Sequence, residues 1–137
     1  MQTFKITGEI VDAAMKVHTA LGPGLLESVY EACLAFELRQ RGLRVQQQVQ
    51  LPVHYCGLTI EAGYRMDLLV ENAVVVELKA IESMLPIHKA QLLSYLRMSG
   101  YEVGLLLNFN VVHLRNGIER VINSRTPASS DAVAMRN

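Results

Sequence analysis

The apolar positions change rhythm along the chain, and each rhythm predicts an element. Ile10, Ala14, Val17 and Leu21 recur at helical spacing, which predicts an amphipathic helix capped by Thr7. Gly22-Pro23-Gly24 ends it. A second helix is predicted from about Leu25 to Arg41, with Leu26, Val29, Cys33 and Phe36 as its apolar face and Gly42 as its stop. The period then drops to two. Leu43, Val45, Gln47, Val49, Leu51, Val53 and Tyr55 alternate with polar partners or Pro52, which predicts one long strand whose apolar face is spoiled only by Gln47. Cys56-Gly57 turns into a short strand at Leu58–Ile60. Two apolar runs rich in β-branched residues follow, Tyr64–Val70 and Val74–Ala80, and both read as interior strands.

Pro86 opens a third helix that ends at Gly100. Strands are expected at Val103–Asn108 and Val111–Arg115, with Asn116-Gly117 as a hairpin turn into Ile118–Ile122. From Ser124 the residues are small and polar, so a mobile tail is expected over 124–137 and one domain over 1–123. The order is two helices, a strand meander, one helix and more strands. It predicts an α/β sandwich, a mixed sheet with helices packed on it. The third helix can cross over so that the Val103 strand lies parallel to the Glu77 strand.

Charge in the two interior runs changes the picture. Asp67 sits in the first, Glu77 and Lys79 in the second, and charge there is expensive to bury. A three-residue turn at Glu71-Asn72-Ala73 pairs Val70 with Val74 and sets Asp67 opposite Glu77, with Cβ atoms roughly 5 Å apart. Two carboxylates so placed repel unless a cation or a proton joins them. A divalent metal is the simplest cation. Lys79 shares Glu77's face because strands alternate. A carboxylate pair beside an ammonium is the equipment for metal-assisted hydrolysis of a phosphodiester. The plain alternative is a structural ion pair of Lys79 with Glu77 or Asp67 on an exposed sheet. The interior character of Val74-Val75-Val76 argues against it.

Two further clusters stand nearby. His88, Gln91 and Tyr95 share one face of the third helix, opposite Ala90, Leu93 and Leu96. That stripe could bond a phosphate or orient a metal-bound water, although a solvated helix face is the commoner explanation for such a stripe alone. Glu27 and Tyr30 are neighbours at the start of the second helix. Taken in isolation, Glu27 is a favourable charge near a helix N-terminus and Tyr30 a half-buried packing aromatic. His18, His54 and His113 lack metal-ligand spacing, and no glycine-rich phosphate loop is present.

Composition narrows the class. The chain has 137 residues, half of them apolar, and carries no net charge. That length suits one domain with a real core. No apolar run reaches the length of a membrane span, and the N-terminus lacks an apolar signal core. Cys33 and Cys56 are isolated, so buried free thiols in a reducing cytoplasm are expected. Zero net charge weighs against a bulk electrostatic grip on long nucleic acid but leaves room for a local basic rim.

Gly24, Glu27 and Tyr30 also reproduce a GxxExxY signature, and the chain resembles the GxxExxY protein family. The Asp67 strand, Glu77-Leu78-Lys79, His88-x-x-Gln91-x-x-x-Tyr95-Leu96 and Gly104–Phe109 are similar to that family too. The resemblance runs from about Ile6 to Ile122. It implies the PD-(D/E)XK nuclease superfamily, with a restriction-endonuclease-like core of order αβββαβ. It further implies that Asp67 and Glu77 are metal ligands, joined by the Leu78 backbone carbonyl. Lys79 would position or help deprotonate the attacking water, and Glu27 would be an additional acidic catalytic residue and a candidate ligand. Gln91 and Tyr95 match a QxxxY motif that organises site and DNA; Tyr30 and His88 join them as site-organising or substrate-binding residues. Met66 replaces the proline of the superfamily label, a frequent replacement.

The function this implies is a Mg²⁺-dependent nuclease acting on DNA, with Mn²⁺ able to substitute. The rival is a non-catalytic nuclease-like module that binds nucleic acid or a protein partner. A homodimer or a partner would supply gripping surface that so small a core lacks. A third reading, a small-molecule phosphoesterase, requires a closed pocket.

Overall fold

The computed structural model of the protein describes residues 2–124; the expected tail lies, from residue 125 on, outside the described residues. Helix α1 spans Thr3–Leu21 and buries Ile6, Ile10, Ala13, Ala14 and Val17. It begins before Thr7, so Thr7 does not cap it. The Thr7 hydroxyl instead donates to the Phe4 carbonyl at 2.9 Å, a local bond open to a threonine inside a helix.

Helix α2 spans Glu27–Gln40, and its buried side is not the predicted one. Tyr30, Leu34, Ala35 and Leu38 are buried, while Leu26 and Phe36 are largely exposed and Cys33 only packs on the core edge. Two apolar stripes satisfy the helical period here. The one carrying Tyr30 faces the core because its ring stacks on Phe109, with centroids 4.5 Å apart.

The predicted long strand is broken. Strand β1 covers Val45–Gln50 and β2 covers Val53–Tyr55. Gln48 sits at φ 52°, in the left-handed region, and the chain flips faces there. Leu43 and Val45 join the core under α1 and α2, whereas Val49 and Leu51 join the core on the other side of the sheet. Alternation looks unbroken in the sequence because each side of the kink alternates correctly. Strand β2 pairs only with β3 (Leu58–Ile60), and this hairpin forms a separate two-stranded sheet. Its turn exposes Cys56, contrary to the expected burial, and Cys33 is half-buried; both thiols are free.

Strands β4 (Arg65–Val70), β5 (Val74–Lys79), β6 (Val103–Asn108) and β7 (Ile118–Ile122) complete a five-stranded sheet of order β1-β4-β5-β6-β7. Only β5 and β6 run parallel; α3 (Pro86–Ser99) makes that crossover. Glu71 and Asn72 take φ of 53° and 50° in the β4–β5 turn, and Val70 pairs with Val74 as expected. Helices α1 and α2 cover one face with Leu68, Val76, Leu78 and Leu107 beneath them. Helix α3 covers the other through Leu92, Tyr95 and Leu96, over Leu69, Val75 and Leu106. Its buried side is rotated from the expected one, since Ala90 is exposed and Leu92 is not.

The expected strand at Val111–Arg115 is absent. That stretch bends and then forms a short 3-10 turn at Leu114–Gly117, so Asn116-Gly117 is not a hairpin turn. Gly117 is required there, because a Cβ would run into the Asn108 carbonyl oxygen. The result is a mixed α/β fold of the restriction-endonuclease type. Its αβββαβ core is α2, β1, β4, β5, α3 and β6, with α1, β7 and the β2–β3 hairpin added. Among the described residues, no helix is long and apolar enough to cross a membrane.

Candidate active site

The β4–β5 ladder runs from Val70↔Val74 to Leu68↔Val76 and stops. Beyond it, side chains take over from backbone. The Asp67 N–H donates to Glu77 Oε2 at 2.7 Å, and the Leu78 N–H donates to Asp67 Oδ2 at 2.9 Å. Each carboxylate therefore bonds the other's strand across an opening in the sheet. A strand residue's N–H and C=O point to the same side, so the Leu78 carbonyl also faces this opening.

Glu77 is 5% exposed, and its carboxyl is pushed up to about 8. Burial is the largest cause and the Asp67 charge the second; the Asp67 N–H and the Lys79 charge act the other way. Lys79 does not neutralise the pair. Its Nζ donates to Gln91 Oε1 at 3.3 Å, and among the described residues it forms no ion pair with Asp67 or Glu77. The ion-pair alternative thus finds no support in the geometry. What remains is a buried Glu77 beside a half-buried Asp67, two hard oxygen donors to which no Lys or Arg among the described residues is paired, and this donor set suits Mg²⁺ or Mn²⁺. Among the described residues no group of three His, Cys, Asp or Glu side chains gathers as a ready metal cage. A cation here would be held by two carboxylates and backbone or water oxygens.

Helix α3 brings its polar face to the same place. Gln91 holds Lys79, and Tyr95 is 6% exposed. The Tyr95 phenol is raised, first by burial and then by the charges of Glu77 and Asp67. His88 lines the same cleft as Lys79, Gln91 and Tyr95, while its Nδ1 accepts the Leu85 N–H at 2.9 Å and closes the start of the helix.

Helix α2 contributes differently from expectation. Glu27 is exposed and lines a shallow hollow beside Ala80, next to Lys79 in the chain. Among the described residues it makes no hydrogen bond to Asp67 or Glu77. Tyr30 is fully buried, not half-buried, and so cannot touch a substrate. Its hydroxyl donates to the Gly22 carbonyl at 2.6 Å and accepts the Leu25 N–H at 3.0 Å. It fixes the turn that launches α2 and, through that turn, Glu27.

Three residues went unassigned in the sequence reading. Gln48 Nε2 bridges Glu31 Oε1 at 2.7 Å and Asp67 Oδ1 at 3.2 Å. Glu31 is one helical turn after Glu27, and Glu77 feels its charge. The glutamine run of β1 is visible in the sequence, but polar residues on an edge strand are ordinary there. Asn108, buried beside Lys79 in the parallel register, bonds both the N–H and the C=O of Ile81 and so latches the chain just past β5. A larger hollow of about 830 Å³ lies between α1 and β7; it is lined by none of these residues.

A family model of the PD-(D/E)XK nuclease superfamily matches residues 4–121. The chain belongs to that superfamily, whose members act on nucleic acids and generally use divalent metals. Comparison with curated proteins gave no match. The crystal structure of SSO0001 aligns with a TM-score of 0.54 at 19% identity, covering 98% of this chain and 70% of that one; this is a likeness of fold.

Proposed function

We propose that the protein is a Mg²⁺-dependent nuclease that hydrolyses phosphodiester bonds in DNA. One observation carries this reading: a half-buried Asp67 and a buried Glu77 meet in the strand opening with no Lys or Arg among the described residues paired to them, and Lys79 stands beside them in the grip of Gln91. Asp67, Glu77 and the Leu78 carbonyl would hold the ion, with Glu27 as an added carboxylate. Bound there, Mg²⁺ or Mn²⁺ supplies an acidified water and charge neutralisation at the scissile phosphate. Lys79 orients the attacking water and favours its deprotonated form. Gln91 fixes the Lys79 ammonium, and Gln48 fixes the Asp67 carboxylate. We assign the activity to one domain over residues 1–123, of the GxxExxY type. The two free cysteines fit the reducing cytoplasm as its compartment.

Calorimetric titration of Mg²⁺ and Mn²⁺ tests the assignment. Asp67→Asn and Glu77→Gln should each weaken binding, because each removes a charged oxygen ligand. Lys79→Ala should not, because an ammonium is no ligand. Equal loss in all three variants would remove Lys79 from its role. No binding by the wild type would leave a nuclease-like module without catalysis.

A further inference from the structure

We propose that the cleft between α3 and the base of the β2–β3 hairpin receives an unpaired nucleic-acid strand, with Tyr64 as the platform on which a base stacks. This rests on the nuclease reading of the same site and adds its substrate class.

The cleft measures about 510 Å³ and has Lys79 among its lining residues. That is the size of a small-ligand site, and it suits splayed nucleotides. Val53 and Tyr64 line one side, and Ile87, Gln91, Tyr95 and Met98 the other. Tyr64 is 45% exposed, so one side of its ring is open to a ligand. Its position is fixed from two directions. Its carbonyl accepts the Leu51 N–H at 2.9 Å, and its ring leans on Tyr95 at a centroid distance of 6.2 Å and 54°. Tyr95 is itself buried, so the pair presents Tyr64 as a braced ring. Braced aromatic rings are what unstacked bases bind, independently of sequence.

The charge of the cleft points the same way. Lys79 is the one Lys, Arg, Asp or Glu among the described residues that line it, and the chain as a whole has zero net charge. Gripping a duplex from outside takes a row of cations on its phosphates. A cleft that combines Val53, Ile87 and Met98 with one ammonium and the polar groups of His88, Gln91 and Ser94 instead matches bases on one side and sugar or phosphate on the other.

The test is fluorescence anisotropy in EDTA with a fluorescein-labelled oligothymidylate and a hairpin duplex of similar length, followed by cleavage of both in Mn²⁺. The single strand should bind more tightly than the duplex. Tyr64→Ala and Tyr64→Leu, which both remove the π-face, should weaken single-strand binding by roughly 5- to 150-fold, the stacking contribution of one base. Tyr64→Phe should bind as the wild type does. Equal or tighter binding of the duplex overturns the proposal, as does wild-type binding by Tyr64→Leu, or no binding of single strands at all. Two outcomes separate this proposal from the nuclease reading. Efficient cutting of duplex that ignores Tyr64→Leu would sink the cleft and keep the nuclease. Tyr64-dependent single-strand binding with no cutting in Mg²⁺ or Mn²⁺ would keep the cleft and sink the nuclease.

Discussion

Replacing Glu77 by Gln is expected to stabilise the metal-free protein, and increasingly so as the pH rises. Folded, Glu77 holds its proton to about pH 8; an ordinary glutamate gives it up at 4.5. A raised folded value means that Glu77's share of stability is intact below pH 4.5, falls as pH climbs toward 8, and is flat above. The loss is about 1.4 kcal/mol for each pH unit between those limits, on the order of 5 kcal/mol in all. Glutamine has no proton to lose. The difference between variant and wild type should therefore grow by about 1.4 kcal/mol per pH unit, or roughly 3–5 °C in Tm for a chain of this size. The slope isolates the titration; a constant offset carries whatever the amide costs in packing. Thermal unfolding in EDTA from about pH 5 to about pH 9 reads it directly. In Mg²⁺ the wild type should regain stability at high pH while Glu77→Gln does not. Parallel melting curves across that range would refute the reasoning, because they would mean that the fold does not hold the Glu77 carboxyl protonated beside Asp67.

Other variants test single contacts. Lys79→Ala should leave calorimetric Mn²⁺ affinity intact and lower cleavage by roughly 10²–10⁴-fold, the range for a group that handles the water's proton. Gln48→Gly should hold or raise stability, by up to about 1 kcal/mol, because glycine relieves the left-handed backbone; cleavage should fall because Asp67 loses its amide brace. Tyr30→Phe should cost roughly 0.5–1.5 kcal/mol in denaturant titration by removing the part-buried hydrogen bonds to the Gly22 carbonyl and from the Leu25 N–H, with activity per folded molecule unchanged. Glu27→Gln should lower cleavage without moving Tm beyond a degree or two, since a charge near a helix start contributes only about 0.3–1 kcal/mol.

Much of the fold was legible because it rests on local rules. The three-residue turn after Val70 fixed the β4–β5 register, and Pro86 and Gly100 bounded α3. What failed were choices that tertiary packing makes. Helix α2 carries two apolar stripes, and only Phe109, far along the chain, decides that Tyr30 goes inside. The flip at Gln48 is invisible to period-two counting because alternation resumes on the opposite face. Asn116-Gly117 carries a hairpin signal, yet Gly117 is there for a close approach to Asn108. The candidate site shows the same division. Asp67, Glu77 and Lys79 stand out as charges in apolar strands, and Gln91 and Tyr95 follow from helix spacing. Glu31 and Gln48 do not, because polar residues on an edge strand and a helix surface need no explanation until the sheet brings them to Asp67. Tyr64 escaped for a related reason: at the head of the run Tyr64–Val70 it reads as the first residue of an interior strand, whereas β4 starts at Arg65 and leaves it exposed.

We read the opening between β4 and β5 as a metal-dependent hydrolytic site. Incubating purified wild type and Asp67→Asn with labelled single- and double-stranded DNA, in Mg²⁺, Mn²⁺ or EDTA, tests it most directly. The wild type should cleave in either metal and not in EDTA, and Asp67→Asn should not cleave at equal folded concentration. Cleavage by Asp67→Asn at the wild-type rate, or in EDTA, would contradict that reading.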